Sequence, residues 1–252
     1  MTDTVYVYGV LRAADADALS VAGVEDSPVR AVVLDELAAL VSDLEGSSIA
    51  AAREVRAHWR VLEEASGDAT ALPVRFGTAM ESDQAVRDRL LAPNAERLGG
   101  LLKELAGRVQ LSVKGDYDEQ ELMREVVRAA PAIGAMRRRL SKLPDEAGYY
   151  ERIRLGEAVA AGVSRRREQD TALALERLSP LAVATRSEEV GGTEAAFKLA
   201  FLVERDAVER FSAAVGELTG ELGERVHLRY VGPLPPYSFA EMDLTAGSPA
   251  WA

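Results

Sequence analysis

Two kinds of hydrophobic pattern alternate along the chain, and each predicts its own element. The run Val5-Tyr6-Val7-Tyr8-Gly9-Val10-Leu11 is β-branched and aromatic and predicts a strand. A polar stretch with Gly23 and Pro28 follows. Val29 to Leu34 and Leu37 to Leu44 then flank Asp35-Glu36 in the pattern of a hairpin. From Ile49 to Ala65 the spacing turns helical, with Val55, Trp59 and Leu62 four and three residues apart, until Ser66-Gly67-Asp68 ends it. Ala71 to Gly77 is extended, because the residue before Pro73 is pushed out of the α region. Ser82 has the character of an N-cap for a helix running to about Ala106, which Pro93 bends or interrupts.

Beyond Arg108 the grammar is clearer. Arg108 to Lys114 alternates Val109, Leu111 and Val113 with polar neighbours, as a half-buried strand does. A helical region over about 118–178 is broken at Pro131 and from Pro144 to Gly148. Strands Leu181–Ser187 and Ala195–Val203 flank the turn-forming Val190-Gly191-Gly192-Thr193. Arg205 to Leu222 reads as a helix with Val208, Phe211 and Val215 on one side, and Val226–Val231 as a last strand. The order β, α, β, β, α, β is that of the ferredoxin-like, split βαβ arrangement, its first crossover expanded by an inserted helical hairpin. The expected fold class is therefore α+β in two domains. Residues 1–107 form an N-terminal mixed α+β domain, residues 108–231 a modified ferredoxin-like domain, and residues 232–252 a proline-rich tail.

Composition narrows the class. A chain of 252 residues suits one large domain or two ordinary ones, and 48% hydrophobic with 28% charged residues suits a folded soluble protein. No run approaches the roughly 18 consecutive apolar residues of a membrane-spanning helix. No basic region precedes the first strand, and there are no cysteines, so a cytoplasmic protein is expected, with no role at a membrane. With 30 basic against 41 acidic residues, the net charge of −11 has the wrong sign for a nucleic-acid partner. Residues 1–107 carry most of the excess, with 10 basic and 18 acidic side chains. Arg137-Arg138-Arg139 and Arg165-Arg166-Arg167 make the middle locally basic, and each triplet reads as a solvated helix face.

Candidate chemistry is sparse. The two histidines are His58, which with Glu54 and Glu63 reads as a helix-surface ion pair, and His227, on the solvent side of a strand. No Cys, His, Asp or Glu cluster has zinc-site spacing, and nothing resembles a Ser, His, Asp triad or a nucleophile elbow. Gly191-Gly192-Thr193 lies between strands, without the helix a phosphate loop requires. Glu63-Glu64 and Glu188-Glu189 are consecutive, so their carboxylates diverge. No catalytic, cofactor-binding or metal-binding residue is assigned.

Three segments are more specified than connections need be. Tyr149, Ile153, Gly156, Ala160 and Val163 form a stripe at spacings of four and three. Either the stripe packs within its own domain or it docks a partner helix. In Leu72-Pro73-Val74-Arg75-Phe76-Gly77-Thr78, Arg75 between two apolar residues is expected to be buried or half-buried, with a partner carboxylate, and Gly77 permits a tight exit. The prolines of Gly232-Pro233-Leu234-Pro235-Pro236-Tyr237-Ser238-Phe239 stiffen it toward polyproline II. Pro235, Pro236, Tyr237 and Phe239 then form a strap across their own protein, the favoured reading, or a ligand for a foreign groove.

Together these segments resemble the gas vesicle protein family GvpL/GvpF. The resemblance rests on Tyr6-Val7-Tyr8-Gly9, His58 with Leu62-Glu63, Leu72 to Thr78, Tyr149-Tyr150-Glu151-Arg152-Ile153-Arg154-Leu155-Gly156-Glu157, Ala200-Phe201-Leu202-Val203 and Gly232 to Phe239. These motifs keep their order and span nearly the whole chain. Leu234 stands where the family often has tryptophan. The resemblance implies a non-enzymatic accessory protein of gas vesicles, with two α+β domains. It also implies a role in assembly, with the shell protein GvpA and other gas vesicle accessory proteins as partners, the protein either holding shell subunits before they polymerise or sitting at the growing shell as a minor component. The alternative from a different class is a ferredoxin-like small-molecule-binding protein or enzyme, whose haem or metal version would require His58 or His227 buried beside a cavity.

Overall fold

Strand β1 (Val5–Arg12) is buried along nearly its whole length, from Val5 to Leu11, so both of its faces are covered. It is the hub of a five-stranded sheet ordered β2-β3-β1-β4, with β5 also paired to β1. β2 (Arg30–Leu34) and β3 (Leu37–Asp43) form the expected hairpin, with Leu34 opposite Leu37 and Asp35 in the left-handed region at φ 51°. Residues 4–16, 21–45, 52–67, 69–142, 144, 148–192 and 194–240 are described in this computed structural model. The expected helix start at Ile49, Asp68 of the helix stop, Thr193 of the turn and the tail beyond residue 240 lie outside them.

The chain divides into two units, Met1–Gln110 with Pro233–Ala252, and Leu111–Gly232. In the first, β1 and β3 run antiparallel, and the register slips between Val7 and Gly9, so Tyr8 is the extra residue of a bulge. The bulge shifts the side-chain alternation: Tyr6, Tyr8 and Leu11, rather than Val10, share one core cluster with Leu40, Val61 and Leu62. Helix α1 (Ala52–Ala65) packs on β1. β4 (Leu72–Pro73) and β5 (Ala79–Met80) pair with β1 on either side of a turn, where Gly77 takes φ 87° as its tight exit requires.

Ser82 caps the short helix α2 (Asp83–Ala85) by accepting from the Ala85 N–H. A π-helical turn, Val86–Leu91, then leads into α3 (Ala92–Glu104), near whose start Pro93 lies. Proline cannot donate to the carbonyl four residues back, so the ladder is rearranged here, and the Asn94 side-chain amide donates to the Leu90 carbonyl at 2.8 Å.

The second unit contains most of β6 (Arg108–Tyr117), then α4 (Glu119–Ala129), α5 (Pro131–Leu140), α6 (Tyr149–Leu178), β7 (Ala184–Ser187), β8 (Ala195–Glu204), α7 (Val208–Leu222) and most of β9 (Val226–Leu234). Its four strands are ordered β7-β8-β6-β9. Pro131 starts a new helix where a break was expected, with α4, α5 and α6 packed on one another. Adding a Cβ to Gly162 of α6 would place it 2.6 Å from Val126 of α4, so these helices cross at a distance only glycine allows. Phe197, Leu199 and Phe201 of β8 are buried, and Phe211 of α7 packs on Phe201 with ring centroids 5.0 Å apart.

Candidate functional site

The segments singled out in the first half of the sequence converge on one aromatic cluster in the first unit. The Tyr6 hydroxyl accepts from the Gly77 N–H at 3.0 Å and lies 3.0 Å from His58 Nδ1. With the His58 ring neutral, one ring nitrogen carries a proton and the other accepts, so the ring and the hydroxyl share this bond without a charge. Burial lowers the His58 pKa to about 4, against the opposing effect of its hydrogen bond to the Val74 backbone. Burial likewise raises Tyr6 to about 12. The Tyr8 hydroxyl accepts from the Val24 N–H and pairs with Ser42 Oγ, both at 2.7 Å. A Cβ on Gly23 would come within 2.1 Å of that hydroxyl, so only glycine leaves room for it.

His58 is thus not at the helix surface in an ion pair, as its sequence neighbours suggested. Tyr6, Tyr8 and Phe76 surround its ring at centroid distances of 5.7, 5.7 and 5.6 Å. The inward face of α1 is Glu54, Ala57, His58, Val61, Leu62 and Ala65, while Trp59, expected among the apolar stripe, is 38% exposed. Glu54 remains inside because its carboxylate accepts from the Glu25 N–H at 2.9 Å. Arg75 also departs from expectation: it is exposed, so it needs no buried carboxylate. Its neighbours Val74 and Phe76 turn inward while its own side chain reaches water.

The closing motif completes this unit. Gly232, Pro233 and Leu234 continue β9 rather than starting polyproline II, and Pro235 to Ala240 folds into a turn, with Ala240 N–H donating to the Pro236 carbonyl at 2.8 Å. Pro235 and Pro236 are buried. The Tyr237 ring lies 4.2 Å from that of Trp59, and Ser238 N–H donates to Gln110 Oε1 at 2.8 Å. Phe239 is half-buried. These residues strap their own unit.

In the second unit, a charged network centred on the buried Asp170 links α4, α6 and the turn that precedes β9. Asp170 is 2% exposed, accepts from the Tyr117 hydroxyl at 3.1 Å and receives Arg225 Nη2 at 2.7 Å. Arg166 lies 3.4 Å from Asp170 and 2.6 Å from Glu125. Two carboxylates and two guanidiniums compensate one another. Burial favours losing the Arg225 proton, but the hydrogen bond to Asp170 and the negative charges of Asp170 and Glu125 together outweigh it and raise the pKa. A cleft of about 90 Å³ beside Glu125, Gly162 and Arg165 has room for a few waters, well below the several hundred Å³ of a typical ligand pocket.

The helical stripe is divided. Val163 is buried, but Tyr149, Ile153, Gly156 and Ala160 are exposed, so most of the stripe does not pack within its own unit. Tyr150, outside the stripe, is the most exposed large hydrophobic among the described residues, at 76%. Consecutive helical residues point about 100° apart, and the adjacent tyrosines were a signal that both could not enter one core. His227 is exposed on β9. Among the described residues, no group of three or more His, Cys, Asp or Glu is placed to hold a metal ion, and no helix is long and apolar enough to cross a membrane.

Known proteins are similar to this chain in sequence and in architecture. The family described as "Gas vesicle synthesis protein GvpL/GvpF" matches residues 4–241. Gas vesicle protein F of Streptomyces sp. (strain CB03234) is 35% identical over 94% of this chain and 99% of its own length. Gas vesicle protein F of Dolichospermum flosaquae is 25% identical over 96% of this chain and 100% of its own. The crystal structure of the gas vesicle protein GvpF from Anabaena sp. PCC7120 superposes with a TM-score of 0.82 at 25% identity, over 96% of this chain and 99% of that one. The chain belongs to the GvpL/GvpF family of gas vesicle synthesis proteins.

Proposed function

We propose that this protein is a non-enzymatic accessory protein of gas vesicle assembly that binds the shell protein GvpA, other gas vesicle proteins, or both. The family match over residues 4–241 carries the reading. In it, the protein holds apolar shell subunits before they polymerise, or sits at the growing shell as a minor component, in the cytoplasm and at the vesicle. The exposed start of α6, with Tyr149 and Ile153 followed by Gly156 and Ala160, is the binding face. The tail residues Pro235, Pro236, Tyr237 and Phe239 serve the fold of the first unit, and Val163 the core of the second. The reading also takes the second unit as a modified ferredoxin-like domain. Its strand order β7-β8-β6-β9, with helices between β6 and β7 and between β8 and β9, supports that assignment.

Co-expression with a tagged main shell protein, followed by capture and size-exclusion chromatography, tests the function. A soluble complex of defined mass is expected, and Ile153→Asp should abolish it while leaving the circular dichroism unchanged. Failure to recover any complex, with the other accessory proteins also present, overturns the reading.

A further inference from the structure

We propose that the first half of α6, with the end of α5, docks an acidic amphipathic helix of a partner protein. This rests on the function proposed above and specifies the chemistry of its binding face. From Tyr149 to Ala161 no residue of α6 is buried, and Tyr149, Tyr150 and Ile153 are 60%, 76% and 43% exposed. The two tyrosine rings meet edge to face at 5.5 Å, giving one continuous aromatic surface.

Charge identifies the occupant. Residues 131–167 hold nine basic against four acidic side chains, a net of +5 within a chain of net −11. Arg137, Arg138, Arg154 and Arg165 are exposed and form no ion pair among the described residues. Arg139 reaches Glu151 at 3.7 Å, which places the end of α5 beside the start of α6. An apolar partner alone would leave these guanidiniums uncompensated, whereas carboxylates flanking an apolar ridge satisfy them. The 4, 3, 4 spacing from Tyr149 to Ala160 is that of one helix ridge, and a Cβ on Gly156 would meet nothing within 4 Å, so a second helix can approach along this line. A nucleic acid would meet the repulsive field of the whole chain.

The test uses the full chain and a fluorescein-labelled amphipathic peptide of roughly 20 residues, leucine along one face and glutamate along the other, read by anisotropy. Binding is expected, weakening on the order of tenfold between low and physiological salt. The double variant Arg137→Glu/Arg154→Glu should lose roughly tenfold or more, Ile153→Asp should also weaken binding, and Arg60→Glu in the first unit should change nothing. Equal binding of a peptide with lysine replacing glutamate, or indifference to the arginine reversals, overturns the proposal. So does binding to phosphatidylserine vesicles without binding to the peptide, which would make this a membrane-facing surface. Capture of the shell protein unaffected by the arginine reversals leaves the assembly role standing and removes only this inference. Peptide binding without shell-protein capture does the reverse.

Discussion

Each unit holds a buried polar cluster, and the two clusters are built by opposite means. In the first, Tyr6, Tyr8, Ser42 and His58 are neutral hydrogen-bonding groups, satisfied by one another and by the backbone of Val24 and Gly77. In the second, Asp170 and Arg225 are charged and depend on each other, with Arg166 and Glu125 closing the set. A neutral network loses a hydrogen bond when a member is removed, whereas a charged one is left with an uncompensated ion. The two units should therefore fail differently.

The largest effect is expected from Asp170→Ala, which takes the nearer carboxylate from Arg225 at 12% side-chain exposure and should destabilise the second unit by about 3–5 kcal/mol. Urea denaturation gives the size, and hydrogen exchange should place the loosening in α4, α6 and β9. Loosening confined to α1 and β1 would contradict the account.

Acid should act on the first unit instead. His58 has a folded pKa of about 4 against 6.5 when unperturbed, so above pH 6.5 it is neutral in both states and its titration contributes nothing. As the pH falls from 6.5 to 4 only the unfolded chain takes up the proton, and stability is lost by up to ~3 kcal/mol. The slope of stability with pH in this window should diminish in His58→Gln; a slope unchanged by that substitution would show that the ring is not the titrating group.

Tyr6→Phe removes the hydroxyl shared by Gly77 and His58 and should cost about 1–3 kcal/mol, read as a lower urea midpoint at unchanged m-value. The smallest effect on folding belongs to Ile153→Asp. An exposed position should change stability by no more than about 0.5 kcal/mol, while shell-protein capture is lost. A thermal scan and the capture assay on the same preparation separate the two.

Where the sequence was legible, a local rule sufficed. The hairpin turn at Asp35-Glu36, the Ser82 cap, the helix break at Pro131 and the left-handed Gly77 each follow from backbone preferences of a few residues. The motifs carrying the family resemblance were also legible as text, although not as neighbours. Tyr6, His58, Phe76 and Tyr237 lie far apart in sequence, and only folding packs the Tyr6 and Phe76 rings against His58 and sets Tyr237 against the same cluster.

The misplaced residues share a cause. Periodicity assigns polar side chains to water, so Glu54 and His58 were turned outward and Trp59 inward; partners distant in sequence, Glu25 and Tyr6, reverse that choice. Asp170 carried only the signal of an arginine four residues before it, which suggests a solvated pair until Tyr117, at the end of β6, and Arg225, in the turn before β9, arrive from either side in sequence. In the stripe from Tyr149 to Val163, spacing identified a helix face but not what covers it. The sequence by itself determined the element order, the charge asymmetry and the family, because these depend on composition and on short-range backbone preference. Tertiary structure alone decided which polar groups are buried and which apolar ones are left exposed, because burial depends on partners supplied by other elements.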